Sequence, residues 1–172
     1  MVALTLASLA MATPDLRSGS FQLDEPWEDV LARQSSAVEA ALDDVPRILR
    51  PLIRPILLRS VWSCDGWTTE VDATELSVQC RGRDPLRVPV AGTRTSIVLP
   101  GGREFSVSGD SSNALLTVRA EGRHGSQLST WSFLHPEALL VTRTIESRWL
   151  PTDVTWTVMY RRVDQLPVAP SP

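Results

Sequence analysis

The clearest pattern in the sequence is an alternation of apolar and polar residues that begins near residue 60. Val154, Trp156, Val158 and Tyr160 share one face of a predicted strand, and the residues between them share the other. The same alternation recurs at Leu76-Val78-Cys80, Leu86-Val88-Val90, Phe105-Val107, Leu116-Val118-Ala120, Trp131-Phe133 and Val141-Arg143-Ile145. It predicts an antiparallel β domain over residues 60–163.

Short polar turns separate the predicted strands. They include Pro100-Gly101-Gly102, Gly109 to Asn113, Gly122 to Gly125 and Leu150 to Asp153. These connections are too short for crossover helices, so about eight or nine antiparallel strands are expected. Because such a meander must close or cover its edges, we expect a closed or nearly closed barrel.

A different pattern, with apolar residues three and four positions apart, covers residues 24–59. It predicts an amphipathic helical segment packed across an opening of the barrel. Pro46, Pro51 and Pro55 interrupt its second half. Because proline inside a helix removes a backbone hydrogen bond, we expect a bend or restart near Pro46 and another disturbance near Pro51.

The two ends of the chain do not continue either pattern. Residues 1–12 form an apolar run that ends in Ala10-Met11-Ala12, which is typical of a signal peptide and its cleavage site. A basic segment before the run is missing, so the alternative is an apolar peg retained in the mature chain. Residues 13–23 are a predicted linker, and residues 164–172 are a Pro-rich tail. The expected location is the periplasm or the extracellular medium.

The composition excludes several kinds of chemistry. The chain has 172 residues, 42% of them hydrophobic, and a net charge of −3, which gives no reason to expect nucleic acid as a partner. All 17 basic residues are arginine. A Schiff-base lysine, a phosphate-loop lysine and a Ser–Lys dyad are therefore excluded.

Cys64 and Cys80 are the two cysteines of the sequence. In an exported protein, an even pair with hairpin-like spacing predicts a disulfide. The alternative is a pair of reduced, buried thiols. Two cysteines without clustered histidines do not complete a structural zinc site, which needs four ligands, and we expect no metal and no cofactor.

Charge divides sharply along the helical segment. Residues 24–44 hold seven acidic side chains and one arginine, whereas residues 45–62 hold no acid. The arginines of this second half are Arg47, Arg50, Arg54 and Arg59. One interpretation is a docking surface for an acidic partner or an anionic membrane. The alternative is a solvated face that pairs with acids nearby.

Six tryptophans supply large aromatic surfaces. Trp62, Trp67 and Trp149 lie near the ends of predicted elements, where they would line a pocket mouth or an interface. The alternative for each is ordinary core packing.

Candidate catalytic residues are few. His124 and His135 lie in predicted turns without metal-ligand spacing. Gly109-Asp110-Ser111-Ser112 looks like the nucleophile segment of trypsin-like proteases, but no histidine lies in a recognisable partner motif. The stretch is also typical of a polar hairpin turn.

Three short patterns resemble an uncharacterised family of exported bacterial proteins. They are Arg50-Pro51-Leu52-Ile53-Arg54, Ser147-Arg148-Trp149-Leu150-Pro151 and Val158-Met159-Tyr160-Arg161-Arg162. The resemblance covers residues 21–163 and implies an N-terminal helix before a β meander, with no activity attached. The meander is also broadly similar to lipocalin-like barrels, although Gly66-Trp67 lacks the residue that separates glycine and tryptophan in their usual motif.

The prediction from the sequence is an α+β protein with a lipocalin-like barrel and no catalytic function. It would be an exported scaffold or accessory protein whose helical segment docks on an envelope protein, a membrane complex or the membrane surface. The first alternative is a carrier that binds a small apolar ligand inside the barrel. An open apolar cavity favours the carrier, and a filled barrel favours the scaffold. The second alternative is an enzyme with His124 or His135 beside a carboxylate or Ser111.

Overall fold

One antiparallel sheet of ten strands forms the fold in the computed structural model, which describes residues 17–72, 74–90, 92–99, 103–112 and 114–164. The strands are β1 (Gly19–Leu23), β2 (Gly66–Val71), β3 (Glu75–Cys80), β4 (Leu86–Pro89), β5 (Arg94–Leu99), β6 (Arg103–Ser112), β7 (Leu115–Gly122), β8 (Gly125–His135), β9 (Ala138–Ser147) and β10 (Val154–Val163). Two helices of the described residues, α1 (Trp27–Leu42) and α2 (Arg50–Ser60), follow β1.

The sheet curls into a nearly closed barrel. Its strand order is β4-β3-β2-β1-β10-β9-β8-β7-β6-β5, so β4 and β5 are the two ends. Val88 of β4 packs so closely on Gly109 of β6 that a Cβ on Gly109 would lie 3.0 Å from Val88 Cγ1. The backbone N–H of Gly92 also donates to the Gly109 carbonyl oxygen at 3.0 Å. The predicted antiparallel, nearly closed barrel is confirmed, with ten strands instead of eight or nine.

The first strand corrects the predicted order of the elements. β1 lies inside the predicted linker of residues 13–23 and pairs with both β2 and β10. The helices are therefore inserted between two neighbouring strands and do not precede the whole β domain. Sequence periodicity misses β1 because Phe21 is its one buried residue, which leaves no alternation to detect.

The predicted helical segment is divided into two helices. α1 ends at Leu42 and α2 begins at Arg50, so the predicted break near Pro46 is confirmed. Pro51 lies in the first turn of α2 instead of disturbing a longer helix. Proline is tolerated there because the first backbone N–H groups of a helix have no partner within it.

α1 is fixed to the barrel through β10. Val30 and Val38 are buried on its inner face. At its start, the Glu25 carboxylate accepts hydrogen bonds from the Met159 backbone N–H at 2.9 Å and from Arg33 at 3.1 Å. The Arg33 hydrogen bond lowers the pKa of Glu25, which keeps this link charged and intact at neutral pH.

The predicted apolar run of residues 1–12 lies outside the described residues, as does the predicted tail apart from Asp164. Neither described helix combines the length and the apolar character that a membrane span requires.

Candidate functional site

A cavity of about 300 Å³ lies inside the barrel, next to the connection between α2 and β2. Its wall is mainly apolar. The apolar side chains that line it include Trp67, Val78, Leu86, Ile97, Val118, Ala120 and Trp131. Pockets for small ligands range from about 300 to 1,000 Å³, so this cavity has the volume of a small binding site.

Strand register explains why the interior is open at this level. Ala120 of β7 lies opposite Gln127 of β8, and Val118 lies opposite Ser129. All four residues line the cavity, and none of the inward side chains in these pairs is aromatic. At the next inward position of β8, Trp131 is buried and closes the space from one side. The absence of an aromatic ring from these successive inward positions therefore leaves the interior unfilled.

Arg143 is the charged residue that this arrangement buries. It lies on β9 opposite Ser129 of β8 and Trp156 of β10, and it is 4% exposed. Its guanidinium carbon lies 3.8 Å from the centroid of the Trp62 ring, and Nη1 donates to the Trp62 carbonyl oxygen at 3.3 Å. Among the described residues it forms no ion pair with a carboxylate; its ionisable neighbours are Tyr160 and Arg83.

The cavity therefore carries a positive charge. Burial lowers the pKa of Arg143 to about 10, because apolar surroundings disfavour the charged form. The guanidinium nevertheless remains protonated at neutral pH. Burial also raises the pKa of Tyr160 to about 12, so its hydroxyl stays neutral and donates to the Cys64 carbonyl oxygen at 2.8 Å.

Two buried N–H groups at the cavity, Trp131 Nε1 and Arg143 Nε, have no hydrogen-bond partner among the described residues, and both side chains line the cavity. More than about 90% of buried polar groups in native proteins are paired. A cluster of unpaired donors, with no unpaired acceptor beside them among the described side chains, indicates a site that an external acceptor can complete.

The mouth of the cavity is held by a disulfide. Cys64 and Cys80 are joined, with their Cα atoms 5.7 Å apart, which confirms the predicted bond. Cys80 lines the cavity, and Cys64 lies two residues after Trp62. Trp62 also contacts exposed Arg83, whose guanidinium carbon lies 4.7 Å from its ring centroid. The disulfide thus positions the aromatic side of the mouth.

The three predicted pocket aromatics separate into two groups. Trp62 and Trp67 line the cavity, and their ring centroids lie 6.2 Å apart. Trp149 is 60% exposed after β9 and lies against Arg148, at 4.6 Å, away from the cavity.

The four arginines of the predicted docking surface do not reach the cavity. Arg47 precedes α2, while Arg50, Arg54 and Arg59 belong to it. Arg54 pairs with Glu39 of α1 at 2.6 Å, and Arg50 lies 4.0 Å from Asp43. Two of the four therefore pair with acids of the first half of the segment.

The two histidines lie outside the cavity wall. His124 Nδ1 lies 3.2 Å from an Arg148 nitrogen, and His135 Nδ1 accepts from the Glu137 backbone N–H at 3.2 Å. The Ser111 hydroxyl oxygen accepts a hydrogen bond from the Arg17 guanidinium. Within the described part of the chain, no group of three or more His, Cys, Asp or Glu side chains is placed to hold a metal ion.

Comparisons with known proteins agree with the barrel. No family model and no curated protein matches the sequence. A fatty acid binding protein of Schistosoma mansoni in complex with arachidonic acid is 15% identical, with 88% of this chain and 99% of that chain covered and a TM-score of 0.53. The REP1-NXSQ fatty acid transporter is 13% identical, with 87% and 97% covered and a TM-score of 0.50. A variant of the fluorescent protein UnaG is 10% identical, with 89% and 100% covered and a TM-score of 0.51.

These findings correct the prediction of a docking scaffold. A barrel filled with side chains would favour that hypothesis, but the interior holds an open cavity of about 300 Å³. At these identities the similarity shows the fold alone, and the fold is shared with proteins named for fatty acid binding and transport. The scaffold prediction is therefore wrong, and the open apolar cavity is the feature that favours the carrier alternative.

Proposed function

We propose that this protein is a non-catalytic carrier that binds a small apolar ligand inside its barrel. The observation that carries the proposal is the mainly apolar cavity of about 300 Å³ inside the barrel. Transfer of apolar surface from water into such a cavity contributes about 25 cal/mol for each Å² buried. The names of two structurally similar proteins, a fatty acid binding protein and a fatty acid transporter, support the same class of function.

Filling the cavity tests this proposal. Ala120 lines the cavity and is half-buried, so Ala120→Phe places an aromatic ring in the space that a ligand would occupy. We expect the variant to fold and to lose affinity for the neutral fluorescent probe N-phenyl-1-naphthylamine by about tenfold or more. Titration of the probe, followed by its fluorescence increase, measures this change.

Thr117→Phe is the matched control. Thr117 lies on the same strand, but it alternates with the buried residues Leu116 and Val118 and therefore faces outward. This variant should bind the probe as the wild type does. The carrier proposal fails if the wild type does not bind the probe, or if Ala120→Phe binds it unchanged while remaining folded.

We also propose that the protein works in an oxidising compartment, the periplasm or the extracellular medium. The support is the disulfide between Cys64 and Cys80, since structural disulfides persist mainly in such compartments. Protein taken from its native source and alkylated before any reduction should show no added mass on either cysteine. Alkylation of both thiols would contradict the proposed location.

A further inference from the structure

The buried N–H groups of the cavity lack a hydrogen-bond acceptor. Arg143 Nε and Trp131 Nε1 are both unpaired, and their side chains are 4% and 2% exposed. An arginine side chain and an indole can only donate hydrogen bonds. A ligand without acceptors would leave these buried donors unsatisfied, whereas a ligand with an acceptor at this position would satisfy them.

The charge around Arg143 indicates that the acceptor on the ligand is an anionic group. Arg83 adds positive charge at the mouth, and the hydroxyl of Tyr160 is neutral. Asp84 also lines the cavity, but it is exposed and does not pair with Arg143. A buried cation is stable only when it is paired and hydrogen-bonded, so an anionic group beside the guanidinium would supply the missing partner.

The aromatic lining of the rest of the cavity indicates an aromatic ligand. Trp67 and Trp131 meet edge to face at an interplanar angle of 87°, with their centroids 5.4 Å apart. Both rings line the cavity together with Trp62. A further aromatic ring extends such a cluster with favourable edge and face contacts. A rigid ring system also loses less conformational entropy on confinement than a flexible chain does.

We propose that the ligand is a small aromatic carboxylic acid whose carboxylate lies on Arg143 and the indole N–H of Trp131, with its ring among the tryptophans. This inference rests on the proposed carrier function and names the chemical class of the ligand. The acid is bound without chemical change.

Three probes of similar size test the class of ligand. They are 2-naphthoate, its neutral isostere 2-naphthamide, and the aliphatic acid decanoate. Calorimetric titration of the wild type at neutral pH should show 2-naphthoate binding at least about tenfold more tightly than the amide, since hydrogen bonds to a charged group exceed neutral ones. It should also bind more tightly than decanoate.

Variants then locate the charge that recognises the acid. Arg143→Met retains an apolar side chain of similar length, and it should reduce the preference for acid over amide to less than about threefold. Trp131→Phe removes the indole N–H and should lower the preference in part. Arg87→Met is the control, because Arg87 is an exposed residue of β4 that pairs with Glu75 at 3.4 Å. It should leave the preference unchanged.

The possible results separate this inference from the carrier proposal. Equal affinity for naphthoate and naphthamide in the wild type overturns the anionic ligand but leaves a carrier of neutral apolar molecules. Tighter binding of decanoate than of naphthoate overturns the aromatic class. If none of these compounds binds and the neutral fluorescent probe also fails to bind, both proposals fall. The wild-type titrations test whether the ligand is anionic even if Arg143→Met does not fold.

Discussion

Replacing both Cys64 and Cys80 by alanine is expected to lower the free energy of unfolding by about 3 kcal/mol. The two cysteines are 16 residues apart, so the disulfide closes a loop that restricts the unfolded chain. The loop-entropy model assigns about 3 kcal/mol to a loop of this length. Urea denaturation of the double variant and the oxidised wild type at the same temperature measures the difference.

The same double substitution should affect ligand binding in the cavity less than it affects stability. The segment that carries Trp62 is also held by the hydrogen bond from the Tyr160 hydroxyl to the Cys64 carbonyl oxygen, at 2.8 Å, which alanine at position 64 retains. We therefore expect affinity for the neutral fluorescent probe to fall by only about threefold under conditions where the variant is folded. A stability loss below about 1 kcal/mol would contradict the loop-closure argument.

Arg143→Met is expected to make the ligand-free protein more stable by about 1–2 kcal/mol, although it removes the proposed contact with the acid. Burial lowers the pKa of Arg143 to about 10, well below its ordinary value, so the charged form is disfavoured in the folded state. Methionine keeps much of the packing against Trp62 and carries no charge to desolvate. Urea denaturation at neutral pH measures the gain.

The pH dependence of this gain has a definite sign. Because the pKa of Arg143 is lower in the folded protein than in the unfolded chain, the full destabilisation by the buried charge is present at any pH below about 10. It is relieved as the pH rises above about 10, because the folded state loses this proton before the unfolded chain does. The gain in unfolding free energy of Arg143→Met should therefore be constant between roughly pH 6 and 9, below the lowered pKa, and should shrink at higher pH.

Arg87→Met is again the control and should change the unfolding free energy by less than about 0.5 kcal/mol, as expected for an exposed residue. If Arg143→Met is instead less stable than the wild type, the hydrogen bond of Arg143 to the Trp62 carbonyl and its contact with the Trp62 ring outweigh the burial of its charge. Arg143 would then be a structural residue, and the stability argument for a missing anion would fail.

Local signals in the sequence were sufficient for much of the barrel. Alternation along β10 is strong because Val154, Trp156, Val158 and Tyr160 all face the core and are buried. The disulfide followed from two cysteines at hairpin-like spacing, which β2 and β3 bring together by pairing. Two of the three tryptophans assigned to a pocket mouth, Trp62 and Trp67, do line the cavity.

The central residue of the proposed ligand site, which sequence reasoning missed, was nevertheless visible in the pattern. Arg143 occupies an inward position between Val141 and the half-buried Ile145 on β9, so alternation placed a charge on an apolar face. That signal does not say whether the guanidinium reaches solvent, finds a carboxylate or remains unpaired. Strand register decides which of these surroundings the guanidinium has. It sets Arg143 opposite Ser129 and Trp156 and leaves no acid beside it among the described residues.

By itself the sequence determined the inward positions of the strongly alternating strands, such as β10, and the helical character of residues 24–59 apart from the break near Pro46, because these depend on neighbours a few positions away. The tertiary structure alone decided that β1 completes the sheet between β2 and β10, and that the barrel is hollow. Both depend on pairing between distant segments. Whether inward side chains fill a barrel depends on its radius and on which residues lie opposite one another, as Val118 and Ser129 do here. No local pattern records that pairing.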